Sequence, residues 1–142
     1  MDDTFPLLRQ VVLDTTDARG LAEFYRQLLG YVYRAGDEPP TDGSADENAD
    51  DWLVIHDLAG SSRIAFQAVE SLPRATWPSS EVPQQLHLDL SVRTRSELEA
   101  SHAIAMQLGA TLLIDDADNA EEPIRVYADP SGHPFCIFKL PE

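Results

Sequence analysis

The feature that most constrains this chain is a pattern that runs through it twice: a strand, a helix closed by Leu-Gly, then three more strands. In the first copy Leu8-Arg9-Gln10-Val11-Val12-Leu13-Asp14-Thr15 alternates as a strand does, with Val11, Leu13 and Thr15 on one face. Thr16 or Asp17 can cap a following helix by accepting from the unpaired amides of its first turn. Leu21, Phe24, Tyr25 and Leu28 then recur at helical spacing, and Gly30 ends the run because glycine tolerates the left-handed cap. Strands are expected at Tyr31-Val32-Tyr33-Arg34, at Trp52-Leu53-Val54-Ile55-His56 and at residues 63–69, the last two joined through Gly60-Ser61-Ser62. Residues 71–83 contain Pro73, Pro78 and Pro83 and read as a linker, since proline removes amide donors. The second copy opens with Leu86-His87-Leu88-Asp89-Leu90-Ser91. The capping box Thr94-Arg95-Ser96-Glu97 starts a helix through Leu98, Ile104, Ala105 and Leu108, which ends at Gly109. Strands at 110–114, 124–128 and 135–140 complete it, the last two joined by Asp129-Pro130-Ser131-Gly132, which has the proline and glycine of a type I turn.

This order predicts an α+β fold: tandem βαβββ modules at 6–70 and 84–142, forming a curved mixed sheet around a cleft within one domain of 142 residues. Identity between the halves is low, so the duplication rests on element order, on both helices ending in Leu-Gly, and on an acidic loop between the second and third strands of each copy. These loops, Asp37 to Asp51 and Asp115 to Glu122, lack the spacing of a calcium-binding loop and are expected to be solvated and flexible.

Composition narrows the classes of function. A hydrophobic fraction of 43% is that of a globular chain, and no apolar run approaches the roughly 20 residues that span a bilayer. A net charge of −15 opposes binding to nucleic acid and to anionic membranes alike. The start, Met1-Asp2-Asp3-Thr4, is acidic where a signal peptide is basic, and the single cysteine, Cys136, allows no internal disulfide. A cytoplasmic protein is the expectation.

Alternation separates side chains that meet the helices from those that face away. Val11 and Leu13 pack under the first helix, so Gln10, Val12 and Asp14 point to the other face; Leu86, Leu88 and Leu90 pack, so His87, Asp89 and Ser91 point away. His87 is either a structural histidine bonded to a carboxylate such as Asp89 or a pocket residue. His56 shares a face with Trp52 and Val54 and can line a pocket or cap its edge; Trp52, Phe66 and Trp77 can form an aromatic wall, although core packing explains the first two equally well. Cys136, between Phe135 and Ile137, reads as a small buried hydrophobe, while His102 and His133 do not read as ligands. No Ser-His-Asp order, phosphate loop or Cys-x-x-Cys pair is present, so no catalytic residue is assigned.

The chain resembles the vicinal oxygen chelate superfamily of glyoxalases, bleomycin-resistance proteins and extradiol dioxygenases. The resemblance rests on Val12-Leu13-Asp14 leading to Phe24-Tyr25-Arg26-Gln27-Leu28-Leu29-Gly30, on His87-Leu88-Asp89-Leu90, on Leu108-Gly109-Ala110, and on Asp129-Pro130-Ser131-Gly132-His133-Pro134-Phe135-Cys136. In family enzymes, positions on up to four strands offer His, Gln or Glu to one divalent metal. Carried over, these positions are Gln10, Gln67, His87 and Cys136, where Gln67 and Cys136 depart from the usual ligands. The loss of carboxylates weakens a magnesium or manganese site, while a softer Gln/His/Cys set could bind zinc.

The resemblance therefore implies a small-molecule binder without a complete metal site and without a cofactor, its ligand contacts drawn from Gln10, Trp52, His56, Phe66, Gln67, His87 and Asp89. The alternative it implies is a lyase, isomerase or dioxygenase using zinc, nickel, manganese or iron on His87 with Gln10 and Gln67 or Cys136. A homodimer is the assembly it implies. A module that binds only a protein partner is the third expectation.

Overall fold

A computed structural model describes residues 5–142. The acidic start Met1-Asp2-Asp3-Thr4, on which the cytoplasmic expectation leans, lies outside the described residues. The chain divides into two compact units, Met1–Glu70 and Ser71–Glu142. Each is a βαβββ module that closes into its own four-stranded mixed sheet. Among the described residues no helix is long and apolar enough to cross a membrane.

The first unit contains β1 (Val11–Thr15), α1 (Ala18–Leu29), β2 (Val32–Tyr33), β3 (Trp52–His56) and β4 (Arg63–Ala68). Its strand order is β1-β4-β3-β2, with β1 parallel to β4 and the other pairs antiparallel. Asp17 is the helix cap: its carboxylate accepts from the Gly20 amide at 2.9 Å, while Thr15 Oγ1 accepts from the Asp17 amide. Gly30 closes the helix at φ 70°, as the Leu-Gly ending predicts. Leu21, Phe24 and Tyr25 bury the helical stripe against Leu13, Leu53, Ile55 and Phe66. Each fully buried side chain of this kind contributes about 1.5–3 kcal/mol. The Tyr25 and Phe66 rings stack at 6.1 Å. Phe66 is thus a core residue on the helix side of the sheet, which corrects its expected place in a ligand wall: on β4 it has the opposite parity to Gln67.

The first acidic loop also differs from expectation. Arg19 of α1 forms a two-point bond to Asp46, with both distances 2.7 Å, and donates to the Asp37 carbonyl. The Asp37 carboxylate is buried, accepts from the Val54 amide at 2.9 Å and pairs with Arg34 at 3.0 Å. This loop is fastened at two points because an unpaired amide on β3 and a half-buried guanidinium both require an acceptor.

The second unit contains β5 (Leu88–Val92), α2 (Arg95–Gln107), β6 (Thr111–Asp116), β7 (Ile124–Ala128) and β8 (Pro134–Lys139), in the order β5-β8-β7-β6. The predicted capping box is present in full: Thr94 Oγ1 accepts from the Glu97 amide, and Glu97 accepts from the Thr94 amide. The face of α2 is more polar than its sequence suggests. Leu98 and Ala105 are buried, whereas Ile104 is 43% exposed. The helix instead covers Arg125, which pairs with Glu99 at 3.0 Å and Asp115 at 3.1 Å, and Tyr127, whose hydroxyl meets His102 Nδ1 at 2.8 Å.

Replacing Asp37 with alanine leaves the buried Val54 amide without its acceptor. Urea titration should show a loss of roughly 1–3 kcal/mol in unfolding free energy, and an unchanged midpoint would refute the structural role given to this carboxylate.

Candidate functional site

The parallel pairing of β5 with β8 decides which side chains share the face turned away from α2. Asp89 stands beside Cys136, and Ser91 beside Phe138. Across β7, Val126 stands beside Cys136 and Ile124 beside Phe138. This face floors a cleft of about 340 Å³, with His87 and Pro134 at one end of the same rows. Its size falls at the small end of the roughly 300–1,000 Å³ that small-molecule sites occupy.

Loops supply the rest of the wall: Trp77 and Gln84 precede β5, and Glu122 precedes β7. Segment 71–83 joins the modules in sequence and is also tied into the second unit. Arg74 donates to the Pro130 carbonyl at 2.8 Å, and the Thr76 amide donates to the Val82 carbonyl at 2.9 Å. Gly132 makes the first contact feasible. It sits at φ 95° in the turn, and a Cβ there would lie 3.0 Å from the Arg74 Cβ. Asp129 holds that turn by accepting from the Ser131 and His133 amides at 2.9 and 3.0 Å. Trp77 is thereby suspended over the cleft from the same turn that joins β7 to β8.

The polar centre of the floor is Asp89. The Cys136 thiol donates to Asp89 Oδ1 at 2.9 Å, and His87 Nε2 lies 3.2 Å from the same oxygen. His87 thus lies beside Asp89 and lines the cleft. Burial, and then the Asp89 carboxylate, push the Cys136 thiol up to about 12, so it stays protonated and is a poor nucleophile. Gln84 Oε1 is shielded from solvent and accepts no hydrogen bond among the described residues.

Apart from Phe66, the site residues expected in the first unit lie on the face of its sheet away from α1. Trp52 pairs with Gln67, and His56 with Arg63; Arg63 Nε reaches Gln10 Oε1 at 3.5 Å, and His56 Nδ1 lies 2.6 Å from the Asp57 carbonyl. None of these four lines the cleft described above. Sequence reading placed His87, Asp89, Trp77 and Cys136 as candidates and missed Gln84, Ile124, Val126, Pro134, Phe138 and Glu122. Parity on the strands flanking Cys136 was the signal for Val126 and Phe138; no local signal marks Gln84 or Glu122.

The donors do not fit the metal site that the resemblance implies. Cys136 stands beside Asp89, and by the same register in the first unit Ala65 stands beside Val12. The position equivalent to Cys136 is thus Ala65, which offers no donor, and the expected Gln67 corresponds to Phe138. In the second unit the Cys136 thiol and the His87 imidazole converge on one Asp89 oxygen rather than on a shared ion position. Among the described residues no three His, Cys, Asp or Glu side chains are grouped to hold an ion.

The profile of the glyoxalase-like domain matches residues 10–138. The chain belongs to this family. Solved structures agree on the fold. A glyoxalase/bleomycin resistance protein/dioxygenase family enzyme from Burkholderia phytofirmans PsJN is 19% identical, with 94% of this chain and 98% of that one covered and a TM-score of 0.69. The fosfomycin resistance protein FosX from Mesorhizobium loti is 12% identical over 97% and 95% of the two chains, TM-score 0.64. The antibiotic binding protein TnmS3 from Streptomyces sp. CB03234 is 16% identical over 99% and 100%, TM-score 0.59. No curated protein matches the chain by sequence. This glyoxalase-like chain therefore keeps the fold of its family while the residues at the metal positions depart from it.

Asp89 raises the Cys136 thiol both as an acceptor and as a charge, so Asp89→Asn should lower it and increase the thiolate fraction. Alkylation by iodoacetamide in the folded protein at pH 8 should be slow in the wild type and several-fold faster in the variant. Equal rates would remove the coupling. Because Cys136, Tyr33 and Tyr127 are all pushed up to about 12 from values of 9.0 to 10.0, the folded state holds its protons longer than the unfolded one. Their contribution to stability is complete below pH 9 and should decline from there towards pH 12, measurable as a falling Tm.

Proposed function

We propose that this glyoxalase-like protein binds a small organic molecule in the cleft of its second module and does so without a complete metal site. The observation that carries this reading is the cleft itself. Trp77, Ile124, Val126 and Phe138 offer apolar surface, and His87, Asp89, Gln84 and Glu122 add a few polar groups that can orient a ligand. A neighbour in fold named as an antibiotic binding protein supports binding as one use of this architecture. Within this reading the protein acts in the cytoplasm as a homodimer, as the family resemblance implies, and its charge of −15 keeps it off nucleic acid and anionic membranes.

Filling the cleft tests the reading. Ligands found in a fragment screen by NMR should perturb the Trp77 indole and the Val126 methyls. They should also lose about tenfold or more in affinity in Val126→Trp, equivalent to about 1.4 kcal/mol, with Tm changed little. Fragments that bind Val126→Trp as well as wild type would place binding elsewhere. Titration with zinc, nickel, manganese and iron(II) should give no stoichiometric binding. Stoichiometric binding lost in His87→Ala would instead favour the lyase, isomerase or dioxygenase alternative.

A further inference from the structure

We infer that the cleft is selective for cations, taking an ammonium or amidinium group between Asp89 and Glu122 with the ligand's apolar body against Trp77 and Phe138. This assignment rests on the reading of the cleft as a small-molecule site and specifies its ligand class.

The charged side chains lining the cleft are Asp89 and Glu122, with no lysine or arginine among the lining residues. Three acidic side chains of this unit pair with arginines: Glu99 and Asp118 with Arg95, and Glu99 and Asp115 with Arg125. Asp89 and Glu122 have no such arginine. Asp89 is engaged at Oδ1 alone, by a hydrogen bond from the neutral Cys136 thiol and by His87 Nε2 at 3.2 Å, so Oδ2 remains an acceptor. The Glu122 side chain makes no hydrogen bond or ion pair among the described residues; only its backbone amide is engaged, by Asn119. Both carboxylates line the same cleft as Cys136, and both raise its thiol.

The donor balance points the same way. Asp89 Oδ2 and Glu122 are acceptors, while the His87 Nε2 edge is already turned to Asp89. A group carrying several N–H donors and a positive charge satisfies such a rim, whereas a carboxylate or phosphate would meet like charge. Trp77 and Phe138 add ring faces that attract a cation and cover an apolar body. The overall charge of −15 steers a cation towards the protein and slows an anion.

The test uses three probes of one shape, 1-naphthylmethylamine, 1-naphthylmethanol and 1-naphthoate, titrated into the full-length chain by NMR and calorimetry. The amine should bind about tenfold tighter than the alcohol, one charge-assisted hydrogen bond's worth, and the naphthoate weakest. Glu122→Gln, a change at an exposed side chain, should remove several-fold of the amine's advantage and leave the alcohol unchanged. Asp89→Asn should remove more of it, and raised salt should weaken the amine alone. If the alcohol or naphthoate binds wild type as tightly as the amine, the charge selection is wrong while the cleft stands as a site. If the amine binds but shifts no resonance of Trp77 or Val126, the cleft reading fails and this assignment with it.

Discussion

In each module the first strand pairs in parallel with the last, and the helix between the first two strands covers one side of that pair. The register of this pairing fixes everything that follows on the open side. A slip of one residue in β8 would turn Cys136 and Phe138 under α2 and bring the side chain of Ile137 to the cleft face. The burial of Phe135 and Ile137 beneath the helix opposes that slip, so the hydrophobic core specifies the chemistry of the opposite face. Asp89 meets Cys136 because β5 pairs with β8 in this register, and His87 stands two residues along the same face of the strand.

The same register explains how this chain relates to its family. The element order, the Leu-Gly endings and the Asp-Pro-x-Gly turn are preserved, and they are the parts that build the sheets. The metal positions are occupied by residues that pack or bond locally: alanine beside Val12, and a thiol donating to a carboxylate. Ala65 and Cys136 are themselves buried, on the face of each sheet turned away from its helix.

Much of this was legible in the sequence. Helix caps at Asp17 and Thr94 are readable because capping chemistry is local, and the strands at 52–56 and 124–128 because β-branched and aromatic residues concentrate there. The outward turn of His87 and Asp89 followed from the leucines flanking them. What was not legible depends on contacts distant in sequence. Arg125 looks like a surface residue until α2 brings Glu99 to it, and Asp37 looks like one of many loop acids until β3 presents the Val54 amide. Gln67 was taken as a fourth metal position because no motif marks that strand, and only the pairing with β1 shows that Ala65 occupies it. Phe66 was a different failure. Parity with Gln67 already placed it on the helix side, so the information was present and was outweighed by its aromatic character.

The suspension of Trp77 has an evolutionary consequence. Its anchor, Arg74 on the Pro130 and Asp129 carbonyls beside a bare glycine, is not part of the floor of the cleft. Sequence drift in residues 71–83 can therefore exchange one wall of the pocket while the strand register, and with it folding, stays untouched. A lineage built this way can explore new ligands by editing a loop, so that inheritance of the scaffold and innovation in recognition proceed on separate stretches of one chain.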